Sequence, residues 1–582
     1  MQRPTIPEAV ADWHLQAPEE SSLSESLRVR LSRLTIDDTV VLLSAVALLT
    51  VALPFTFTPS STPRLIVVLA LLPLGILRLG GGVARRDLAS CLAAAFLAWV
   101  TLSSSLSDAP GVALLGAYGR DTSAVILIGA VGGWAIARHL SEDGRQLLVP
   151  VMLGCLVLNA LVCILQVVTR APGGTLSLVN GRAFGLLTGP IFFGALMAGG
   201  ASLVSAGVGG LSRRPTLILV GVFAACANLS GSRFPVALGL AGVVVVLALQ
   251  RRTRSVVSFV LAYLLGLVLS TGLSAFFTSN VSAAGRADSE AAGRLRAWRY
   301  GLEAVVDRPL FGWGAGNFRP AVQGRFSADF TSRHARDELS QIWFDPHNIV
   351  VAFAVGFGIV GLVLCGAFVW FAVQRVSGPL LAFAAVVAAS WLLEPAALVT
   401  LPIALVALGA AFRPSDVPDA ETHASPAKHL GTLLALVGVM AGMTFLVIDV
   451  RLANAIKSNQ PDRVAEAARW TPWDPVAANA VAAAYFNGAD DAASRQTALG
   501  WMKRSRDRQP DWPFYHNAIA EIYLSLDDPE AARAELEAAL ELQPWNVQSL
   551  ELMLEVARRT EDAERLADAT AALCLMEVDS CS

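Results

Sequence analysis

The residue with the clearest capacity for proton chemistry is His347, in the run Asp345-Pro346-His347-Asn348. An imidazole titrates near neutrality and can accept a hydroxyl proton, and Asp345 could orient it. The plainer alternative is a histidine and aspartate that serve only the start of a helix, with Pro346 in its first turn. Just upstream, residues 276–346 hold nine arginines, no lysine and eight carboxylates. Three tryptophans, Trp298, Trp313 and Trp343, lie in the same stretch. A solvated, salt-bridged cap fits that composition, but the planar guanidinium fork also suits phosphate or carboxylate. Further arginines flank apolar runs: Arg182 in Asn180-Gly181-Arg182-Ala183-Phe184-Gly185, Arg233 after Gly231-Ser232, and Arg120 before Asp121. Each could simply snorkel. Several together on one side of a membrane would suit a held anion, and a lipid-linked diphosphate is the natural candidate.

Other motifs carry less. Gly312-Trp313-Gly314-Ala315-Gly316-Asn317 follows a helix-like segment and Pro309, unlike a dinucleotide fingerprint, and reads as flexible positioning of the loop. Glu394-Pro395 is either an interfacial cap or a substrate contact, and the cap is the simpler reading. No His/Cys cluster or paired aspartates resemble a metal site.

These residues need a scaffold, and composition names its solvent. The chain has 582 residues, 54% hydrophobic and 16% charged, which excludes a disordered chain and argues against a soluble globule. A net charge of −3 and the lack of basic–aromatic stretches exclude a nucleic-acid binder. Apolar runs long enough, or nearly so, to cross a bilayer recur at about 39–57, 64–80, 88–106, 123–138, 147–168, 184–207, 215–230, 234–250, 255–275, 347–373, 378–394, 396–412 and 430–449. Each must be helical, since lipid satisfies no backbone group. The fold class is therefore all-α, a polytopic membrane bundle of 12–13 helices over 39–449.

Basic residues orient it. Arg28/Arg30/Arg33, Arg85/Arg86, Arg138/Arg145, Arg213/Arg214, Arg251/Arg252/Arg254, Arg375 and Arg413/Lys428 fall on alternate connections, the cytoplasmic ones by the positive-inside rule. Residues 1–38 are then a cytoplasmic segment, with no cleavable signal peptide in view. Loop 276–346 and residues 450–582 are expected outside the cytoplasm. Cys91, Cys155, Cys163, Cys226 and Cys365 lie in apolar runs and read as buried small residues. Cys574 and Cys581 would pair in an oxidising compartment and otherwise stay as thiols.

Over 451–577 the chain turns alanine-rich and helical, with 13 basic against 22 acidic residues across 451–582. Pro510-Asp511-Trp512 and Pro544-Trp545-Asn546 stand 34 residues apart, the tetratricopeptide period, against the alternative of a generic helical bundle. Two or three such repeats would bind an envelope protein partner or position another domain.

Taken in order, the motifs resemble the O-antigen ligase superfamily, which also contains O-antigen polymerases and pilin oligosaccharyltransferases. The likeness rests on Arg294-Leu295-Arg296-Ala297-Trp298, Gly301-Leu302, Arg308-Pro309-Leu310-Phe311-Gly312-Trp313-Gly314 and Asn317-Phe318. Downstream it rests on His347-Asn348 and Gly356-Phe357-Gly358-Ile359-Val360-Gly361, and upstream on Ser232-Arg233 and Arg182-Ala183-Phe184-Gly185. Leu115-Gly116 with Arg120-Asp121 resembles members that carry a C-terminal tetratricopeptide domain. Two departures stand out: Phe234 and Pro235 follow Ser232-Arg233, and Arg294 and Arg296 compete for one aligned position.

The resemblance implies an α-helical glycosyltransferase of the bacterial inner membrane, without cofactor or metal. It would move a glycan from a polyprenyl-diphosphate carrier to a glycan, lipid or protein acceptor outside the cytoplasm. Arg233 and Arg294 would clamp the diphosphate and His347 would be the base. Arg182, Arg296, Arg120, Trp298, Asn348 and Asp345 would assist in binding. Ligase, polymerase and protein oligosaccharyltransferase all remain open. A lipid-linked glycan transporter or an envelope scaffold is the alternative from another class.

Overall fold

The computed structural model describes residues 29–51, 56, 61–117, 122–169, 178–179, 181–187, 189–208, 211–277, 283–334, 345–396, 398–412, 426–488 and 491–576. All regular elements among them are helices, so the fold is the expected all-α bundle. A helix overlies every apolar run named above. In chain order these are α1 (Ile36–Thr50), α2 (Thr62–Ala84) and α3 (Leu88–Ser105), then, past the short α4 (Pro110–Leu115), α5 (Ala124–Ala137) and α6 (Glu142–Thr169). There follow α7 (Pro190–Ser205), α8 (Arg213–Leu229), α9 (Arg233–Leu249) and α10 (Thr253–Phe277). The helices of the 276–346 loop are α11 (Ala283–Asp307), α12 (Phe318–Val322) and α13 (Ala328–His334). The bundle closes with α14 (Ile349–Val373), α15 (Pro379–Ser390), α16 (Thr400–Ala410) and α17 (Pro426–Lys457). Six of the described helices are both long and apolar enough to cross a bilayer, and the others are shorter.

Polar bonds gather one set of connections at one end. Asp87 accepts from Arg138 at 2.7 Å and from Arg375 at 3.2 Å. Asp38 accepts from the Ser141 backbone at 2.8 Å, and Arg145 reaches the carbonyls of Ala410 (3.0 Å) and Phe412. The connections that follow α2, α5, α14 and α16 therefore meet. At the opposite end the fully buried Arg64 ties the chain together, donating to Leu48 O (3.2 Å) and Leu186 O (3.0 Å).

Helix α14 is broken from within. Gly358 has φ 66° and ψ −173°, and the loop backbone takes up the bonds that the helix forgoes. Trp313 and Gly314 donate to the carbonyls of Val355 and Gly356, each at 2.8 Å, and Ile359 donates to Pro309 O at 2.8 Å. Trp99 Nε1 donates to Phe357 O at 2.9 Å. Without these partners the buried groups would each cost about 1–3 kcal/mol. The expectation of flexible positioning for the 312–316 glycines is thus corrected. Their backbone is pinned, and Gly312, Gly314 and Gly316 all take left-handed φ (69°, 86° and 71°). From this anchor the loop builds its own core, with Ala304, Phe318, Val322, Phe326 and Phe330 packed on Val351 and Val355 of α14.

The tail comprises α18 (Pro461–Ala468), α19 (Pro475–Gly488), α20 (Ala492–Arg508), α21 (Pro513–Ser525), α22 (Pro529–Leu542), α23 (Val547–Arg559) and α24 (Ala563–Leu575). It packs as helical hairpins. Asp528 and Asp562 cap the second helices of two successive hairpins, each after a left-handed residue, Asp527 (φ 61°) and Glu561 (φ 55°). The tail rests on the loop: the Arg319 guanidinium sits 4.7 Å from the Trp512 ring centre, and Gln323 donates to Asp511 O. Cys574 is disulfide-bonded, and Cys581 lies outside the described residues. The other five cysteines are free.

A side chain at 358 has no room, since a Cβ would stand 2.1 Å from Leu310 O. Gly358→Ala is therefore expected to lose at least about 1–3 kcal/mol and several degrees of unfolding midpoint in detergent. A midpoint equal to the wild type would show that the break is not required.

Candidate active site

Helix α11 brings Arg294 and Trp298, one turn apart, to the segment ahead of α14. Trp298 Nε1 donates to Pro346 O at 2.8 Å and fixes the Asp345–Asn348 turn against the helix. Asn348 caps α14, accepting from Val350 N (2.9 Å) and Val351 N (3.1 Å). Its Nδ2 crosses to Leu392 O at 3.2 Å, and Ile349 N donates to Trp391 O at 2.8 Å. The turn after α15 is thereby tied to the start of α14. That turn delivers Glu394, 5% exposed, with Oε2 3.8 Å from Arg294 Nη2. Of the two readings of Glu394, neither named this arginine. The available signal was a lone carboxylate between two apolar runs.

His347 is held in an uncommon way. Its φ is +54°, a left-handed value that a non-glycine residue adopts at a cost of about 1–3 kcal/mol. The compensating bonds are local: His347 N–H donates to Asp345 Oδ1 at 2.7 Å, and Nδ1 lies 3.0 Å from Asp345 O. A carbonyl oxygen can only accept, so Nδ1 carries the proton and Nε2 keeps the lone pair. Burial, and then the positive charge of Arg294, pull the imidazolium down to about 4, although the Asp345 carbonyl opposes them. The ring is therefore neutral at physiological pH. Burial pushes the Asp345 carboxyl up to about 7, with the His347 N–H working against that rise.

A second cluster forms around α9. Arg182 Nε donates to Ser230 O at 2.6 Å and Nη2 to Ser232 Oγ at 2.9 Å. Gly231, φ 68°, passes so close that a Cβ would lie 2.9 Å from Arg182 Nε. Arg182 thus braces the turn that presents Arg233, the exposed first residue of α9. This cluster lies at the same end of the bundle as His347. Gln166, at the far end of α6 from Ser141, accepts from Phe184 N and Gly185 N, each at 3.0 Å, just beyond Arg182. The α14 start and α15 end are likewise opposite the Arg375 connection.

Not every expected residue joins these clusters. Arg296 Nη1 instead faces Asp329 at 3.4 Å, and the guanidinium is 5.9 Å from the Phe330 ring centre, on the flank of α11 that meets α13. Arg120 lies outside the described residues. Taken together, the arrangement offers a neutral ring nitrogen with a lone pair, an arginine near enough to depress its titration, and a second arginine at a helix start at the same bundle end. That suits proton removal beside a bound anion.

Residues 217–366 match the family model described as O-Antigen ligase. The matched stretch contains Arg233, Arg294, Trp298, His347 and Asn348, and leaves out Arg182, Glu394 and the tail. No curated protein matches the chain. The likeness drawn from the motifs is borne out over residues 217–366, which are similar to the O-antigen ligase family and lie within a helical bundle that fits a multi-pass membrane protein.

The tautomer and charge of His347 are open to direct measurement. Nitrogen-15 spectra of histidine-labelled protein, assigned with His347→Gln, should show a neutral, Nδ1-protonated ring at pH 6 that protonates near pH 4. A ring already half charged at pH 6.5, the unperturbed value, would contradict this reading.

Proposed function

We propose that the chain is a membrane glycosyltransferase that moves a glycan from a polyprenyl-diphosphate carrier to an acceptor hydroxyl on the extracytoplasmic face. The observation that carries the reading is the neutral His347, with Nε2 available and the Arg294 guanidinium close enough to shift its titration. The acceptor O–H gives its proton to Nε2 as the oxygen bonds to the anomeric carbon. The bond from that carbon to the diphosphate breaks with its electron pair leaving on the phosphate oxygen. Attack opposite the leaving group inverts the anomeric centre.

The arginines serve the leaving group, where negative charge grows. Glu394 holds Arg294 at 3.8 Å, beyond hydrogen-bond length, so a doubly charged diphosphate can recruit the guanidinium edge without dismantling a tight ion pair. Binding that anion also offsets the positive field of Arg294 on His347 and strengthens the base when substrate is present. Arg233 joins from the start of α9, braced through Arg182. In this reading Arg182 is a positioning residue, and Arg296 secures the loop.

The tail reads as tetratricopeptide-like, and its contact with the loop through Arg319 and Trp512 fits both lying on the same side. The bonded Cys574 fits an oxidising compartment. Together with the positive-inside pattern, this supports the reading of loop and tail as extracytoplasmic, in a bacterial inner membrane protein. A docked repeat domain beside the site favours a growing polymer or a protein as acceptor over plain ligation to a lipid core.

The test mixes the purified full-length protein in nanodiscs with a polyprenyl-diphosphate oligosaccharide and glycan, lipid and protein acceptors. His347→Ala should lower transfer by about 10²–10⁴ while donor binding persists. Arg294→Gln and Arg233→Gln should each weaken donor binding and slow the step. Full transfer by His347→Ala would remove the proposed base, and unaltered activity in both arginine variants would remove the clamp.

A further inference from the structure

Beside the His347 turn lies a pocket for which the transfer step above has no use. It is framed by the 314–318 segment, the start of α14 and residues from α5 and α16. Ile126, Phe353 and Leu401 give it an apolar wall, and Thr122, Asn317 and Asp345 bring polar atoms. Asn317 is only 3% exposed. Its Nδ2 donates to Trp313 O at 2.9 Å, which settles the amide orientation. Its Oδ1 is buried and accepts no hydrogen bond from the described residues. A buried amide oxygen of this kind is costly to leave without a donor, so the site favours a ligand that brings an O–H or N–H.

The lining also says what the ligand is not. Among the described residues it contains no arginine, lysine or histidine, and its one ionisable group is an aspartate. Among those residues a phosphate or carboxylate would find no cation and would meet an acid. An uncharged group with an apolar side fits both the polar atoms and the wall.

We propose that this pocket seats an uncharged edge of a saccharide, with Asn317 Oδ1 accepting a hydrogen bond from a sugar O–H or amide N–H and the apolar wall covering its C–H face. The proposal rests on the glycosyl-transfer reading and extends it: sugar is held here, against Asp345 and Pro346 of the His347 turn. Donor and acceptor glycans share this chemistry, so the test separates them.

Wild type, Asn317→Leu and Asn317→Asp are compared in nanodiscs after their thermal unfolding midpoints are measured. One arm uses polyprenyl-diphosphate oligosaccharides with each hydroxyl in turn replaced by hydrogen. The other uses the matching deoxy acceptors. One deoxy analogue, in one arm, should lose at least about tenfold in kcat/KM with the wild type. Asn317→Asp, which keeps the acceptor oxygen, should retain that discrimination, and Asn317→Leu should reduce it to within about twofold. Equal loss for every analogue in Asn317→Leu, or unchanged discrimination, overturns the proposal.

A parallel titration follows intrinsic tryptophan fluorescence with the free neutral oligosaccharide and needs no turnover. Asn317-dependent saccharide binding without any transfer would leave the pocket standing and sink the enzymatic reading. Saccharide binding indifferent to both substitutions would sink the pocket even if transfer proceeds.

Discussion

The backbone of residues 309–314 is hydrogen-bonded into the gap that Gly358 opens in α14, and the geometry of the site follows from that joint. Inside a bilayer-scale bundle a helix cannot leave its carbonyls bare, so a break survives only where something else supplies donors. Here the donors are the loop itself, through Trp313 and Gly314, and the α3 side chain Trp99. The joint clamps the far end of α11, whose Trp298 then fixes Pro346, and that bond sets the His347 turn. Loosening the break would free the loop, the histidine and the arginine together.

The electrostatics follow the same logic of mutual constraint. His347 is neutral because it is half-buried beside a cation, and its tautomer is chosen by a carbonyl two residues back. Neither Arg294 nor His347 has these properties by residue type alone. They acquire them because α11 crosses the start of α14 while Glu394, from the turn after α15, offsets part of the charge. The tail adds a mechanical term, since Trp512 and Asp511 bear on Arg319 and Gln323 of the loop.

Much of this was legible in the sequence because it was carried by period and type. Apolar runs at or near bilayer length marked the long helices of the bundle, and Arg294, Trp298, His347 and Asn348 announced themselves by their motif order. What stayed hidden depended on three-dimensional proximity. Nothing in the spacing of Gly312, Gly314 and Gly316 distinguishes a flexible loop from one whose glycines admit backbone to within hydrogen-bond reach of a broken helix. Arg294 and Arg296 are equivalent as residues, and only the facing of α11 sends one toward Glu394 and the other toward Asp329. Arg182 is expected from its motif to assist in binding, and what the motif did not reveal is that two of its donors serve the turn before Arg233. The orphaned carbonyl of Asn317 could be seen only once Trp313 was known to hold the other half of its amide.

The central claim is that separate arginines and one imidazole serve a single diphosphate at one end of the bundle. Electron cryomicroscopy of the full chain in nanodiscs, loaded with a non-transferable polyprenyl-diphosphate sugar analogue, tests it most directly. The account predicts diphosphate density within hydrogen-bond reach of both Arg294 and Arg233, with His347 Nε2 facing the anomeric carbon. Density that engages neither arginine, or that leaves His347 on the far side of the sugar, would contradict it.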